Sequence, residues 1–528
     1  MSTVLNLGRL LSDTARLYPE REALVQGSLR RTWREVDDRV NAAVAGLRAL
    51  GIAKGDRLLV VAANCPALFE HMWVAFKLGA VWVPCNFRLV PREIAYIAEN
   101  AGARAVFYGS GYEAHVDAAR AGAPGVKHVL AFGAPRAGEI GYEALIASNA
   151  GAAVGEEPVA YDDPLWLFYT SGTTGRSKGA ELTHGQMGYV VTNMLADLMP
   201  GLAADDASLV VAPLSHGAGA HVPPQVARGA KTVLLASPKF DPDEVWRLVE
   251  QHRITNMFTV PTIVKMLIEH PAADRYDHSS LRHVIYAGAP MYRADQKIAL
   301  AKLGPVLVQY YGMGEVTGCI TYLPPHLHTA DDASPLARVG SCGIPRTGME
   351  VAIFDLDGKP RAPGEQGEIC VRGLGVFKGY FGNPEANAKS FRDGWFRTGD
   401  LGRVDEAGYV YITGRASDMY ISGGANVYPR EVEEVLLTHP AVSEVAVLGV
   451  PDPKWGEAGV AVVVRHRRAA ADAADLARFL DDKLARYKHP RRIFFWDEIP
   501  KSGYGKVPKY LIRAQLYERG DLREGEAV

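Results

Sequence analysis

Tyr169-Thr170-Ser171-Gly172-Thr173-Thr174-Gly175-Arg176-Ser177-Lys178-Gly179 follows directly on the apolar run Leu165-Trp166-Leu167-Phe168. An apolar run that stops in a glycine-rich loop reads as a buried strand feeding a turn. Within eleven residues the loop carries five Ser or Thr hydroxyls, three glycines and two cations. Glycines let the backbone approach a ligand closely and turn its N–H groups inward. Hydroxyls and a lysine add donors and positive charge suited to a polyphosphate. The loop is not a Walker A motif, because Lys178 precedes a glycine and no Gly-Lys-Ser/Thr closes it. A flexible Gly/Ser/Thr linker would need neither the buried strand before it nor the lysine at its end.

The 528 residues, 48% of them hydrophobic, are too many for one core, so at least two domains are expected. A formal charge of −2 excludes a general polycation for nucleic acid. Cys65, Cys85, Cys319, Cys342 and Cys370 are scattered without CxxC spacing, which argues against a zinc site or disulfide framework and fits a reducing compartment. The first residues lack a basic segment followed by a long apolar core. No apolar stretch approaches the ~20 residues of a membrane span. A cytoplasmic location is the expectation.

Around the loop the chain alternates short β-rich runs with amphipathic stretches. The runs are Arg57–Ala62, Ala105–Tyr108, Leu209–Ala212, Lys231–Leu235, Thr255–Phe258, His283–Tyr286 and Val306–Gln309. Asp241-Pro242-Asp243-Glu244 opens one helix with a capping Asp, a first-turn proline and acids at the positive helix end. This alternation predicts α/β layers with mostly parallel sheets. Residues 340–412 carry glycine-rich turns and short strands (Glu350–Phe354, Gly367–Val371, Tyr409–Ile412), which predict an antiparallel, barrel-like subdomain. Beyond a boundary near Gly414–Ser422 lies a smaller α+β unit. It has a helix from about Pro429, strands at Glu444–Val450, Gly459–Arg465 and Arg492–Trp496, and a helix through Ala474–Ala485.

Further motifs sit at strand ends or in turns. Tyr310-Tyr311-Gly312-Met313-Gly314-Glu315 follows the strand Val306–Gln309, at the carboxyl end where open α/β sheets bind ligands. Tyr286-Ala287-Gly288-Ala289-Pro290 also follows a strand. Thr398-Gly399-Asp400 follows Asp393-Gly394-Trp395-Phe396-Arg397. Gly414-Arg415-Ala416-Ser417-Asp418-Met419 and Ile421-Ser422-Gly423-Gly424-Ala425-Asn426 come next, and Pro500-Lys501-Ser502-Gly503-Tyr504-Gly505-Lys506 lies near the end. Each alone is weak; their ordered set is specific.

That set, over essentially the whole chain, resembles the adenylate-forming superfamily of acyl-CoA synthetases, luciferases and peptide-synthetase adenylation domains. The resemblance implies an α/β fold. A large N-terminal domain, residues 1–416, would hold two layered α/β subdomains and a small β-barrel. A small mobile α+β domain, residues 417–528, would follow. It places Thr170, Ser171, Gly172, Thr173, Thr174, Gly175 and Lys178 on phosphates, with Thr174 and Glu315 on Mg²⁺, where an oxygen ligand is what a hard cation requires. Gly288, Ala289 and Pro290 would form a slot for the purine, Tyr311 would lie against adenine within the segment Tyr310–Gly314, and Asp400 would take the ribose hydroxyls. Arg415 would contact ribose and phosphate, a task suited to a planar charged fork. Lys506 would be catalytic: a carboxylate attacking an α-phosphate brings two anions together, and an inserted cation offsets the repulsion. The hinge falls on Ser417, where the family usually has Asp or Lys.

Ser422, Gly423 and Gly424 resemble the acyl-CoA synthetase version of their segment, which binds the pantetheine arm. Val211–His221 matches the segment lining the acyl pocket, with His216 as a catalytic gate beside the carboxylate. Gly217, Ala218, Gly219 and Gly314 are small walls that leave volume for an aromatic or medium-length acyl group. Gly314 is a departure: the family usually has threonine there, contacting the α-phosphate, so a replacement donor, a water or extra acyl room is expected. No Arg or Lys in these segments would hold a second carboxylate. The expected activity is an ATP-dependent acid–CoA ligase using ATP, Mg²⁺ and CoA on a small carboxylic acid; the alternative is an adenylating enzyme that loads a free-standing carrier protein. Nucleic acid is not an expected partner, and a homodimer is compatible with the sequence.

Overall fold

The computed structural model describes residues 3–170, 177–237, 239–289, 291–355, 357–415, 418–422, 425–453, 455–467, 469–481, 483–501 and 509–523. Among them three large sheets organise the chain. The first has Arg57–Val61 at its centre, parallel to Val81–Cys85 and Ala103–Tyr108. These strands are apolar and almost wholly buried, as expected where a parallel sheet is covered on both faces. Pro164–Thr170 joins parallel to Val81–Cys85 and pairs antiparallel with Lys178–Thr183. Thr170 and Lys178 are therefore direct cross-strand partners, and the two ends of the glycine-rich loop are fixed opposite each other.

The second sheet is parallel from Glu22–Gln26 through Lys231–Leu234, Ala207–Val210, Asn256–Thr259 and His283–Tyr286 to Leu307–Tyr311. Thr321–Leu323 and Ser341–Pro345 then pair antiparallel and lead to Val410–Arg415, Trp395–Val404, Gly367–Gly373 and Met349–Phe354. The antiparallel strands expected over 340–412 are present, stitched strand by strand onto the parallel sheet. Asp241 caps the helix Pro242–His252 by accepting from Asp243 N, as its sequence requires.

The third sheet is built on the long hairpin Val442–Asp452 with Gly456–Arg465, flanked by Tyr420–Ser422 and, in parallel, Arg492–Phe495. The helix Pro429–Leu437 starts where expected. The helix expected through Ala474–Ala485 runs Ala473–Asp481, and beyond it the Leu480 carbonyl accepts from both Lys483 and Leu484.

One apolar core, from Leu7 to Val410, reaches across the first two sheets. The helix Pro66–Lys77 is buried at every position from Leu68 on, so its charged side chains need partners. Glu70 meets Arg31 and Arg39, and Lys77 reaches Asp37 and Asn41. All five cysteines are free thiols. No described helix is long and apolar enough to cross a membrane.

Five buried histidines, His71, His184, His221, His283 and His328, make the fold acid-sensitive. His71 Nδ1 accepts from the Trp82 indole at 3.1 Å, and His184 Nδ1 accepts from Leu7 N at 3.3 Å, so both are used neutral. Burial lowers His71 and His221 to about 3 and His184 to about 4. Between those values and the ordinary 6.5, the unfolded chain binds protons that the folded chain refuses. Stability is therefore complete above pH 6.5 and falls as pH drops, by roughly 1.4 kcal/mol per pH unit for each histidine. The melting temperature is expected to drop several degrees between pH 7.5 and pH 5; a flat profile in a calorimetric pH series would refute this.

Candidate active site

The strand Leu307–Tyr311 ends in a tight loop that folds back on itself. A Cβ on Gly312 would run into the Gly318 backbone, and Thr317 adopts φ +50°. The short 3₁₀ turn Gly314–Val316 carries Glu315, only 6% exposed. Its carbonyl accepts from Phe377 N at 2.7 Å. Its carboxylate Oε1 accepts from the Thr170 hydroxyl at 3.2 Å and from the Tyr380 hydroxyl at 2.9 Å. Among the described residues no hydrogen bond reaches Oε2. Lys178 lies with its ammonium 4.4 Å from the centre of the Tyr380 ring, a cation–π distance.

The space beside Gly314 is not empty. A Cβ there would lie 2.6 Å from Phe168 Cδ1 and 2.8 Å from Thr170 Cγ2. The extra acyl room expected at this glycine is thus taken by two side chains from the neighbouring strand. A Cβ on Gly217 would likewise lie 2.8 Å from the Phe258 ring, and one on Gly219 would run into the Leu214 carbonyl and Trp166. The glycines are sites of close packing against aromatic rings, and the volume expected of Gly217 and Gly219 is corrected in the same way. Ala218 is buried beside them.

His216 caps the helix Gly217–Val226, its Nδ1 accepting from Gly217 N at 2.8 Å. A neutral His216 therefore carries its proton on Nε2. Its ring meets Phe168 edge-on, centroids 4.7 Å apart. Farther along the same helix, buried His221 stacks on Phe258 at 4.5 Å, and Phe258 stacks near Tyr310 at 5.9 Å.

On the antiparallel extension, Asp400 and Arg415 are cross-strand partners. Asp400 Oδ1 accepts from Arg415 Nε at 2.9 Å and Oδ2 from the Tyr311 hydroxyl at 2.6 Å. Thr398, two residues earlier on the same strand, accepts from Asp400 N at 3.0 Å and donates to Ile369 O. Burial first, then Asp400, pushes the Tyr311 phenol well above its usual range, so it stays a donor. Asp400, the largest influence on Arg415, raises that guanidinium further. Gly288 takes φ +84°, a conformation that favours glycine, and opens the turn after His283–Tyr286 beside Ala289.

Thr170, Lys178, His216, Gly314 and Glu315 are thus brought into one contiguous cluster, and Tyr311, Asp400 and Arg415 into another that shares the loop after Leu307–Tyr311. Ser422 is buried and pairs with Ala425. Ser171, Gly172, Thr173, Thr174, Gly175, Pro290, Ser417, Gly423, Gly424 and Lys506 lie outside the described residues. Sequence reading missed Tyr380, Phe168 and Phe258. Tyr380 stands on a two-residue strand with no motif around it; the two phenylalanines read simply as core.

Among the described residues no group of three or more His, Cys, Asp or Glu could hold a metal ion by itself. A single buried carboxylate with one oxygen left over fits a cation whose other ligands come from phosphates.

The model of the AMP-binding enzyme family matches residues 11–381, and that of the AMP-binding enzyme C-terminal domain matches 431–506. A feruloyl-CoA synthase of Amycolatopsis is 39% identical over 504 residues, 95% of this chain and 97% of that protein. A long-chain-fatty-acid–CoA ligase of Mycobacterium tuberculosis is 36% identical over 516 residues, 97% of this chain and 98% of that protein. Among solved structures, the o-succinylbenzoate CoA synthetase of Bacillus subtilis in complex with its acyl-adenylate intermediate superposes with a TM-score of 0.83 at 30% identity, covering 100% of both chains. The clustered motifs and these matches together place the chain in the AMP-binding enzyme family, among its adenylate-forming acyl-CoA synthetases.

Proposed function

We propose that the protein joins an aromatic or medium-chain carboxylic acid to CoA in two steps at the cluster around Glu315. The observation that carries this is the convergence of Thr170, Lys178 and Glu315 next to His216, with Tyr311, Asp400 and Arg415 reached through the same loop. In the first step the acid's carboxylate oxygen attacks the α-phosphorus of ATP and pyrophosphate leaves. In the second the CoA sulfur attacks the acyl carbon, the thiol proton is lost and AMP leaves. Asp400 and Arg415 would grip the ribose, and Tyr311 would lie on the adenine with Gly288 and Ala289 beside it. Thr170, Lys178 and the loop 171–175 would hold phosphates. Glu315, with Thr174, would hold Mg²⁺, which would neutralise phosphate charge when bound. Lys506 would offset the repulsion between the two reacting anions. Residues 1–416 would form the binding lobe and 417–528 the lobe that turns about Ser417, bringing Gly423 and Gly424 to the CoA arm.

The acid is read from the walls. Phe168, Phe258 and Trp166 press against glycines in the segment that would line the acyl site, and no Arg or Lys occurs within 211–221 to pair a second carboxylate. Aromatic faces suit a flat or apolar acyl group. The similarity to a feruloyl-CoA synthase points the same way.

CoA-dependent release of AMP, scored over a panel of aromatic, short, medium and long acids, tests the proposal: aromatic or medium-chain acids should give the highest turnover, and no release with any acid would overturn it. Lys506→Ala is expected to slow adenylation by roughly 10²–10³-fold while thioester formation from supplied acyl-adenylate survives; equal loss in both half-reactions, measured separately, contradicts the assignment. Gly314→Ala should cost about 1–3 kcal/mol of stability by overpacking and also lower kcat/KM for the acid; unchanged melting and kinetics would show that Phe168 and Thr170 do not fill that space.

A further inference from the structure

The short segment Phe377–Tyr380 touches Glu315 twice. Phe377 N donates to the Glu315 carbonyl at 2.7 Å, and the Tyr380 hydroxyl donates to Glu315 Oε1 at 2.9 Å. Tyr380 is itself fixed by contacts that do not involve its hydroxyl. Ala180 is its cross-strand partner. Its amide donates to Asn387 Oδ1 at 2.6 Å, and Asn387 Nδ2 donates back to its carbonyl at 3.1 Å. The ring packs edge-on against Phe377 at 4.9 Å and lies under the Lys178 ammonium. A phenol held at its backbone and at both sides of its ring has one polar atom left, and that hydroxyl donates to the carboxylate while the Ser390 side chain also hydrogen-bonds to it.

Thr170 donates to the same oxygen, Oε1. Two hydroxyls on one oxygen fix the carboxylate's rotation and withhold that oxygen from other partners. We infer that Tyr380 is a positioning residue for Glu315: its hydroxyl holds Oε1 so that Oε2 is the oxygen left to a divalent cation carried by the nucleotide phosphates. This rests on the reading of Glu315 as a cation ligand. Lys178 on the ring face adds a second function, joining the far end of the phosphate loop to the same brace.

The test uses the full chain with Mn²⁺ as the probe. Free Mn²⁺ is measured by electron paramagnetic resonance during titration in the presence of α,β-methylene-ATP. Tyr380→Phe keeps the ring, the backbone contacts and the place for Lys178, and removes the hydroxyl that donates to Glu315 and also bonds to Ser390. Losing one hydrogen bond to a charged group should weaken Mn²⁺ binding about tenfold. Adenylation should fall at limiting Mg²⁺ and recover at saturating Mg²⁺, with KM for the acid and the melting temperature unchanged. Unchanged Mn²⁺ affinity in Tyr380→Phe, while Glu315→Gln weakens it, would overturn the positioning role alone. A lowered melting temperature with unchanged Mn²⁺ affinity would assign Tyr380 a structural role and overturn it too. Unchanged Mn²⁺ affinity in Glu315→Gln would overturn the cation reading beneath it, and the proposal with it.

Discussion

A carboxylate held almost out of water must be satisfied locally or it destabilises the fold that holds it. Glu315 meets that constraint with hydroxyls from two different strands, those of Thr170 and Tyr380, while the Phe377 amide satisfies its main-chain carbonyl. Each donor comes from a part of the chain far away in sequence, so the carboxylate can be satisfied only when the first sheet, the second sheet and the crossing segment Phe377–Tyr380 are all in place. The site is in this sense a product of the whole larger fold. Had these donors been missing, the loop after Leu307–Tyr311 would have had to turn Glu315 out to solvent.

The antiparallel extension of the second sheet has a geometric purpose that follows from this. Asp400 and Arg415 sit on strands that are sequence-distant from the parallel core, yet Tyr311 at the end of that core reaches Asp400. Thr321–Leu323 and Ser341–Pro345 carry the strand pairing from one to the other, with a register shift between Ser341 and Gly343. A barrel-like subdomain connected only by loops would leave this registration to side chains. Strand pairing fixes it through the backbone, whose hydrogen bonds are obligatory.

Much of this was legible in the residues. Strands such as His283–Tyr286 and Arg57–Val61 are short, β-branched and apolar, and a period of that kind has few other readings. Asp241 announced its helix. Glu315 stood out because a carboxylate beside glycines just past a strand end invites a ligand, whereas Asp400 was singled out only through the ordered set of motifs and the family it resembles. Tyr380, Phe168 and Phe258 did not stand out. Their contribution depends on what packs against them, and that is set by strand order and register between distant segments. The acyl room expected at Gly314, one of three readings of that departure, was misjudged for the same reason: the absence of a side chain is visible in sequence, but whether a neighbour occupies the gap is a property of the packed layers. The early end of the helix Ala473–Asp481 belongs here as well, since helix termini depend on local capping bonds more than on composition.

Asp400 has both carboxylate oxygens engaged by Arg415 and Tyr311, with its amide on Thr398. The rotamer is therefore settled during folding. A ligand hydroxyl arriving there would owe nothing for freezing that side chain, a saving of about 0.5–1.5 kcal/mol in association. The cost appears instead as competition, since the newcomer must share lone pairs already in use. Such a pocket discriminates by whether a guest can fit into a standing arrangement of donors, and the guest's own flexibility becomes the larger part of what binding must overcome.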